Sequence, residues 1–297
     1  MKEFDLIQKI VSTLGDRAEG EWVKLGPGDD CSIVSVSSGH ELVSSIDSLS
    51  EGVHFPIGAE PELVGYRSLM VSFSDIAAMG AIPKYALINL SLPEGYAEWA
   101  LDFASGLKRA ATDHQIFICG GNVAQGNLII TVSAHGEVPK GQAVLRSGAK
   151  RGHFIYVSGH IGGAAAYIRK LSELSYTAEE LKDLKSIFFE PKSCLNLDRE
   201  IRNSASSCID ISDGLSQDLA HLLSASSVGA ELNSNAIPLF SGANLSDALY
   251  GGDDYQLLFT SAKNLPDFWC IGEIIDRSGV FLDGRTIDPK GYDHFIA

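Results

Sequence analysis

Apolar residues recur along this chain with two different periods, and each switch of period marks a new element. Residues 1–7 begin an amphipathic helix. Residues 41–47 alternate as a strand that ends in a carboxylate, Asp47. Residues 61–79 then place apolar side chains at helical spacing. Residues 86–92 alternate again and stop at Pro93, 97–113 read as a helix, 116–119 as a short strand and 128–138 as a longer one. Residues 139–152 are basic and Gly-rich, and the pattern restarts after them with strand 154–158 and a helix from about 162. Charged helices to about 204, strand 208–211, helix 214–226 and strands near 255–260 and 270–275 complete the series. No fixed-period repeat, heptad or low-complexity tract interrupts it. The expected class is mixed α and β, α+β overall, with two domains, 1–139 and 140–297.

Composition narrows the function classes. A chain of 297 residues that is 45% hydrophobic can bury a large core. No apolar run reaches the roughly 18 residues of a membrane span, and the N-terminus lacks the basic and apolar regions of a signal peptide. A cytoplasmic address is expected, with no membrane partner. The five cysteines, Cys31, Cys119, Cys194, Cys208 and Cys270, lie far apart and never in C-x-x-C spacing, so free thiols are expected rather than a disulfide framework or a zinc site. The formal net charge of −15 argues against nucleic acid. An acidic protein that handles phosphates needs cations between itself and its ligand, although scattered acids on amphipathic helices are ordinary solvated surface.

Several short constellations carry chemistry. Gly26-Pro27-Gly28-Asp29-Asp30 offers two hard oxygen ligands in a tight turn, and is also ordinary turn composition. Asp47 opens Asp47-Ser48-Leu49-Ser50-Glu51-Gly52-Val53-His54-Phe55 at a strand end, where it either projects into a site or caps a loop; His54 alone reads as structural. Asp75 sits well inside an almost wholly apolar helical stretch, where capping does not account for it. A metal ligand and a buried hydrogen-bonded Asp both fit there. Cys119-Gly120-Gly121-Asn122 follows a strand and would let backbone approach a phosphate. In Ile209-Asp210-Ile211-Ser212-Asp213-Gly214, alternation puts Asp210 and Ser212 on one face. Asp213 would serve as a helix cap, and Ser212 with the helix N-terminus suits a phosphate. Gly251-Gly252-Asp253-Asp254-Tyr255 precedes a strand. No Walker A sequence, protein-kinase motif set or Gly-x-Ser-x-Gly elbow occurs.

Taken in order, these segments resemble the thiamine-monophosphate kinase family, from about residue 4 to 295. The match adds Ser74-Asp75-Ile76-Ala77-Ala78-Met79-Gly80, Arg146-Ser147-Gly148-Ala149-Lys150 and Lys290-Gly291-Tyr292-Asp293-His294-Phe295. The wider superfamily resembled includes aminoimidazole ribonucleotide synthetase, hydrogenase-maturation factor and selenophosphate synthetase. The resemblance implies a two-domain fold in which the N-terminal sheet pairs across a homodimer into a β-barrel and the C-terminal domain closes the active-site cleft. It implies ATP-dependent, Mg²⁺-assisted phosphorylation of thiamine monophosphate. Several Mg²⁺ ions would be held by Asp30, Ser45, Asp47, Asp75, Asp210 and Asp213, with Asp30, Asp75 and Asp210 central to catalysis. ATP would contact Gly121, Asn122, Arg146 and Ser212; thiamine monophosphate would contact His54, Asp253 and Tyr292. The sequence departs from the family in three places. Asn122 replaces a metal-binding aspartate, the usual Gly-Gly-Glu-Asp-Tyr-Glu reads Gly-Gly-Asp-Asp-Tyr-Gln, which shortens one substrate-facing acid at Asp253 and neutralises another at Gln256, and Ile46 replaces a threonine. The alternatives are a non-catalytic thiamine phosphate-binding protein and another ATP-dependent enzyme of the superfamily. The ends of the chain carry no reactive cysteine of the kind the hydrogenase-maturation and selenophosphate enzymes use.

Overall fold

The structure is a computed structural model that describes residues 1–20, 22–173 and 176–292. The chain divides into two compact units: Met1–Ile76 with Ala81–Gln142, and Ala77–Gly80 with Ala143–Ala297.

The first unit runs α1 (Glu3–Leu14), β1 (Val23–Leu25), β2 (Ile33–Val34), β3 (His40–Ser50), α2 (Pro61–Ser72), α3 (Ser74–Ala78), β4 (Ile82–Leu92), α4 (Ala97–Asp113), β5 (Phe117–Gln125) and β6 (Ile129–Pro139). Its main sheet has the order β3-β6-β4-β5, antiparallel except for the β4–β5 pair that α4 connects. Period-2 alternation sorts the side chains. Val132, Ala134, Ala86 and Ile88 lie on one face and are buried, whereas Leu42, Ile46 and Leu87 on the other are 46%, 67% and 36% exposed. α2 is buried along most of its length, from Val64 to Ser72, so its apolar residues do not form a single stripe. Its serines are satisfied locally: Ser68 Oγ donates to the Gly65 carbonyl and Ser72 Oγ to that of Ser68.

Two expectations change here. The helix read across 61–79 breaks at Phe73, so Asp75 stands in the first turn of α3 and not deep inside a helix. The strand expected at 116–119 continues to Gln125, through Gly120-Gly121-Asn122. Glycine weakens a strand in isolation, but pairing overrides that here. A Cβ on Gly121 would lie 1.9 Å from the Ile88 carbonyl oxygen, so only glycine permits the β4–β5 approach.

The second unit contains β7 (Phe154–Val157), α5 (Gly163–Glu173), α6 (Ala178–Phe189), α7 (Asp198–Ser204), β8 (Ser207–Asp210), α8 (Leu215–Ser226), β9 (Gly229–Leu232), α9 (Leu245–Tyr250), β10 (Leu257–Ser261), β11 (Trp269–Ile275), β12 (Gly279–Leu282) and β13 (Arg285–Ile287). The strands form one sheet, β13-β12-β9-β11-β7-β10-β8. Leu215, Leu219 and Leu222 of α8 bury their stripe against Ile209, Leu258, Ile271 and Val280. Strands β9, β12 and β13 went unread in the sequence: each has only three or four residues, too few to establish a period.

Candidate active site

In the first unit, alternation along β3 turns Ser45 and Asp47 toward the helix-covered face of the sheet, in register with Ala134 and Val132. The break at Phe73 lets Asp75 meet them. Ser45 Oγ donates a short hydrogen bond to Asp75 Oδ2. Burial, then the Asp75 charge, push the Asp47 carboxyl up to about 6, against a hydrogen bond from Ser72. Two neighbouring carboxylates and a hydroxyl, partly desolvated and repelling each other, are a donor set a hard divalent cation would relieve, so the residues fit Mg²⁺. His54 is half-buried in the turn after β3, where its Nδ1 accepts the Ser50 N–H at 3.0 Å. Asp29 and Asp30 are exposed in a turn, with the Asp30 N–H donating to Asp29 Oδ1 at 2.8 Å. Among the described residues no three His, Cys, Asp or Glu side chains are grouped tightly enough to hold a metal by themselves.

Asn122 is not brought to Asp47. The two occupy opposite edge strands, three strand spacings or about 14 Å apart. They also face opposite sides. Asn122 shares its side with Asn89, Thr131 and Ser48, and its Nδ2 donates to Asn89 Oδ1 at 2.9 Å. Within one chain, these residues cannot share an ion. On the same helix-covered face as Asp47, toward the other edge of the sheet, an almost wholly apolar pocket is lined by Ile10, Leu14, Ile88, Phe103, Leu107 and Gly121.

The second unit gathers its expected residues more tightly. Asp210, 5% exposed, ends β8. The carbonyls that follow hold two other segments: Ile211 O accepts the Tyr255 N–H (2.8 Å), Ser212 O the Asp253 N–H (2.8 Å) and Asp213 O the Tyr292 N–H (3.0 Å). Asp210, Ser212, Asp213, Asp253 and Tyr292 are therefore assembled by backbone bonds around one three-residue stretch. A Cβ on Gly252 would meet Ser212 O at 2.4 Å, and Gly252 also needs its φ of 81°, so this packing requires glycine. Asp253 and Tyr255 adopt φ of 63° and 52°, which costs a non-glycine residue about 1 kcal/mol or more each. Tyr255 Oη donates to Asp253 Oδ1 at 2.7 Å and locks that geometry. Beyond Tyr292, residues 293–295 of the closing motif lie outside the described residues.

The N–H groups of the stretch go elsewhere. Ser212, Asp213 and Gly214 all donate to Asp218 Oδ2, at 3.0, 3.0 and 3.2 Å. The expected phosphate seat on Ser212 and the helix entrance is thus corrected: a protein carboxylate already accepts those three donors. Asp213 is also not the cap, since Gly214 occupies that position. Burial, then the Asp213 charge, push the Asp218 carboxyl up to about 7, against those N–H bonds. Asp254 repeats the device. It accepts the Gly162 N–H at 2.8 Å and bonds from Gly163 and Ala164 at the start of α5, and burial raises it to about 8. Neither acid was singled out from sequence. The available signal was a charge within an apolar helical stripe, Asp218 between Leu215 and Leu219.

One further expectation is corrected, and one residue lies apart from its expected group. Gln256 is 3% exposed and does not face a substrate; Ser158 Oγ donates to its Oε1 at 2.8 Å and its Nε2 donates to the Lys192 carbonyl at 3.3 Å. An amide satisfies a donor and an acceptor there, which a carboxylate cannot. Arg146 is exposed, with its carbonyl bound by Ser226 at the far end of α8 from Ser212, so the structure does not group those two.

The comparisons agree along the whole chain. Residues 28–138 match the family described as AIR synthase related protein, N-terminal domain, and residues 150–284 its C-terminal domain. The thiamine-monophosphate kinase of Salmonella typhimurium is 34% identical over 99% of this chain and 98% of its own length. The chain belongs to the thiamine-monophosphate kinase family. That of Aquifex aeolicus is 35% identical over 99% and 98%. Among solved structures, the Stenotrophomonas maltophilia kinase superposes with a TM-score of 0.88 at 32% identity, covering 97% of this chain and 98% of that one. AaThiL complexed with AMPPCP and TMP gives 0.81 at 34%, covering 99% and 97%. The Escherichia coli HypE structure, at 21% identity and a TM-score of 0.76, shares the fold.

Proposed function

We propose that this protein transfers the terminal phosphoryl group of ATP to the phosphate of thiamine monophosphate, forming thiamine diphosphate. The observation that carries this reading is the likeness, over 99% of the chain, to AaThiL complexed with AMPPCP and TMP. The acceptor needs no side-chain nucleophile. A phosphate monoester has its second pKa near 6, so at neutral pH a dianionic oxygen can attack in line without a general base. What the protein must supply is positioning and charge neutralisation.

Asp47, Asp75 and Ser45 of the first unit, with Asp30 on its exposed turn, would hold Mg²⁺, as would Asp210 and Asp213 of the second. When bound, Mg²⁺ offsets the repulsion between two phosphate-bearing substrates and the charge that develops at the transferred group. The exposed Arg146 can fork onto phosphate oxygens. The apolar pocket beside Gly121 suits a purine ring. Tyr292 is 45% exposed and offers its ring face to the cationic thiazolium, with the Asp253 carboxylate adding opposite charge.

A second copy of the chain belongs to this reading. The exposed side of the sheet, where Leu42, Ile46 and Leu87 stand among Ser48, Thr131 and Asn89, suits pairing with its equivalent. An ion bound by both Asp47 and Asn122 would have to be shared between copies. The reading implies a cytoplasmic enzyme, where ATP is available; among the described residues no helix is long and apolar enough to cross a membrane. The test is ADP release with thiamine monophosphate as acceptor and excess Mg²⁺, with the product identified as thiamine diphosphate. Tight thiamine monophosphate binding without ADP release would overturn catalysis in favour of a binding protein.

A further inference from the structure

Residues 211–214 of the second unit form a junction with two sides. The carbonyls of Ile211, Ser212 and Asp213 carry Tyr255, Asp253 and Tyr292, and the N–H groups of Ser212, Asp213 and Gly214 converge on one oxygen of one side chain, Asp218 Oδ2. Asp218 is 2% exposed and sits on the buried side of α8 beside Leu215, Leu219 and Leu222, so the helix and the core behind it fix its position. Asp218 cannot touch a substrate from there. It acts on the stretch that does, and through it on the segments hung from the opposite side.

We propose that Asp218 is a positioning residue: by gathering the Ser212, Asp213 and Gly214 amides onto one carboxylate oxygen, it sets together the metal-facing residues Asp210 and Asp213 and the vitamin-facing residues Asp253 and Tyr292. The claim rests on the phosphotransferase reading for what those residues do, and on the geometry alone for how they are held. A three-amide anchor is stiffer than a water-solvated loop, because releasing it leaves three donors and a buried acceptor to be satisfied at once. Its rigidity reaches the acceptor side through the Ser212–Asp253 and Asp213–Tyr292 bonds. Loss of the anchor should therefore loosen two substrate contacts that lie in two different sequence segments. Small displacements of reacting groups are costly; about 1 Å can lower turnover roughly a hundredfold.

The test uses the full chain with Asp218→Asn and Asp218→Ala. Amide hydrogen exchange of the ligand-free protein reads the anchor, and steady-state kinetics with thiamine monophosphate and ATP read its consequence. In Asp218→Ala, amides at 212–214, 253, 255 and 292 should exchange roughly tenfold faster or more, while β10 stays protected. Asp218→Asn keeps an oxygen that can face the amides and should recover part of that protection. In both folded variants the KM for thiamine monophosphate should rise and kcat fall, roughly ten- to a hundredfold in kcat/KM for the alanine variant, with a smaller change for asparagine. Unchanged exchange at 253 and 292 would overturn the anchor itself. Faster exchange with unchanged kinetic constants would overturn its role in the reaction. If the wild-type protein lacks the kinase activity, the phosphotransferase reading fails, and the exchange pattern still decides whether Asp218 sets the junction.

Discussion

Asp47 of the first unit and Asp218 and Asp254 of the second are all carboxyls raised by burial, to about 6, 7 and 8, yet they do opposite things. Asp47 faces another carboxylate and two hydroxyls, Ser72 and, through Asp75, Ser45. Among the described residues no cation compensates it, and a metal would. Asp218 and Asp254 each face three backbone N–H groups, and no ligand is needed to complete them. Desolvation alone does not distinguish a ligand-binding acid from one that holds backbone in place; the partners do. A third case, Glu137, faces a cation. Its Oε1 lies 2.9 Å from Lys84 Nζ, and Ser37 donates to it through both its N–H and Oγ. Burial opposes its ionisation, but Lys84 and Ser37 outweigh that and hold the carboxyl below its usual range.

The sharpest way to break this contrast is Asp75→Asn. Turnover should fall by roughly a thousandfold, because charge stabilisation worth several kcal/mol is lost from the cation site. The melting temperature in EDTA should hold or rise, since the change removes a repulsion next to Asp47. A large fall in melting temperature would place Asp75 with the structural acids. Asp254→Ala should do the reverse, costing about 2–3 kcal/mol of stability by stranding the α5 amides. A lower denaturant midpoint at unchanged m would show it.

Glu137→Gln should cost about 2 kcal/mol at pH 7, leaving Lys84 without its partner. The sign of the pH dependence follows from a folded-state pKa below the unfolded one. The stability that the charge contributes is complete above the ordinary glutamate value of 4.5 and is lost as pH falls through the folded value. Wild-type and variant stabilities, followed by denaturant titration, should therefore converge in acid. The smallest effect belongs to Asn122→Asp. Its exposed bond to Asn89 is worth under about 1 kcal/mol, so the fold should be unaffected. With two copies paired as proposed, the new carboxylate should lower the Mg²⁺ concentration for half-maximal turnover. Mg²⁺ titrations above and below the dimer dissociation concentration check this, since a gain that survives in monomer would contradict the 14 Å separation of about three strand spacings.

The chain's periodicity was enough to place helix 97–113, the long strands β3, β4 and β6 and the restart after residue 139, because long segments repeat their period often enough to be read. Ordered motifs were enough for the family, and Ser45, Asp47 and Asp75 do meet in the fold. Sequence could not show that Asp47 and Asn122 are parted, because strand order is set by pairing between residues far apart in the chain. Nor could it separate Asp213, partly exposed, from Asp218, five residues on, turned into the core. A carboxylate's role depends on which donors, cations or like charges surround it. Those neighbours are chosen by burial and by long-range backbone hydrogen bonds, and they exist only once the chain has folded.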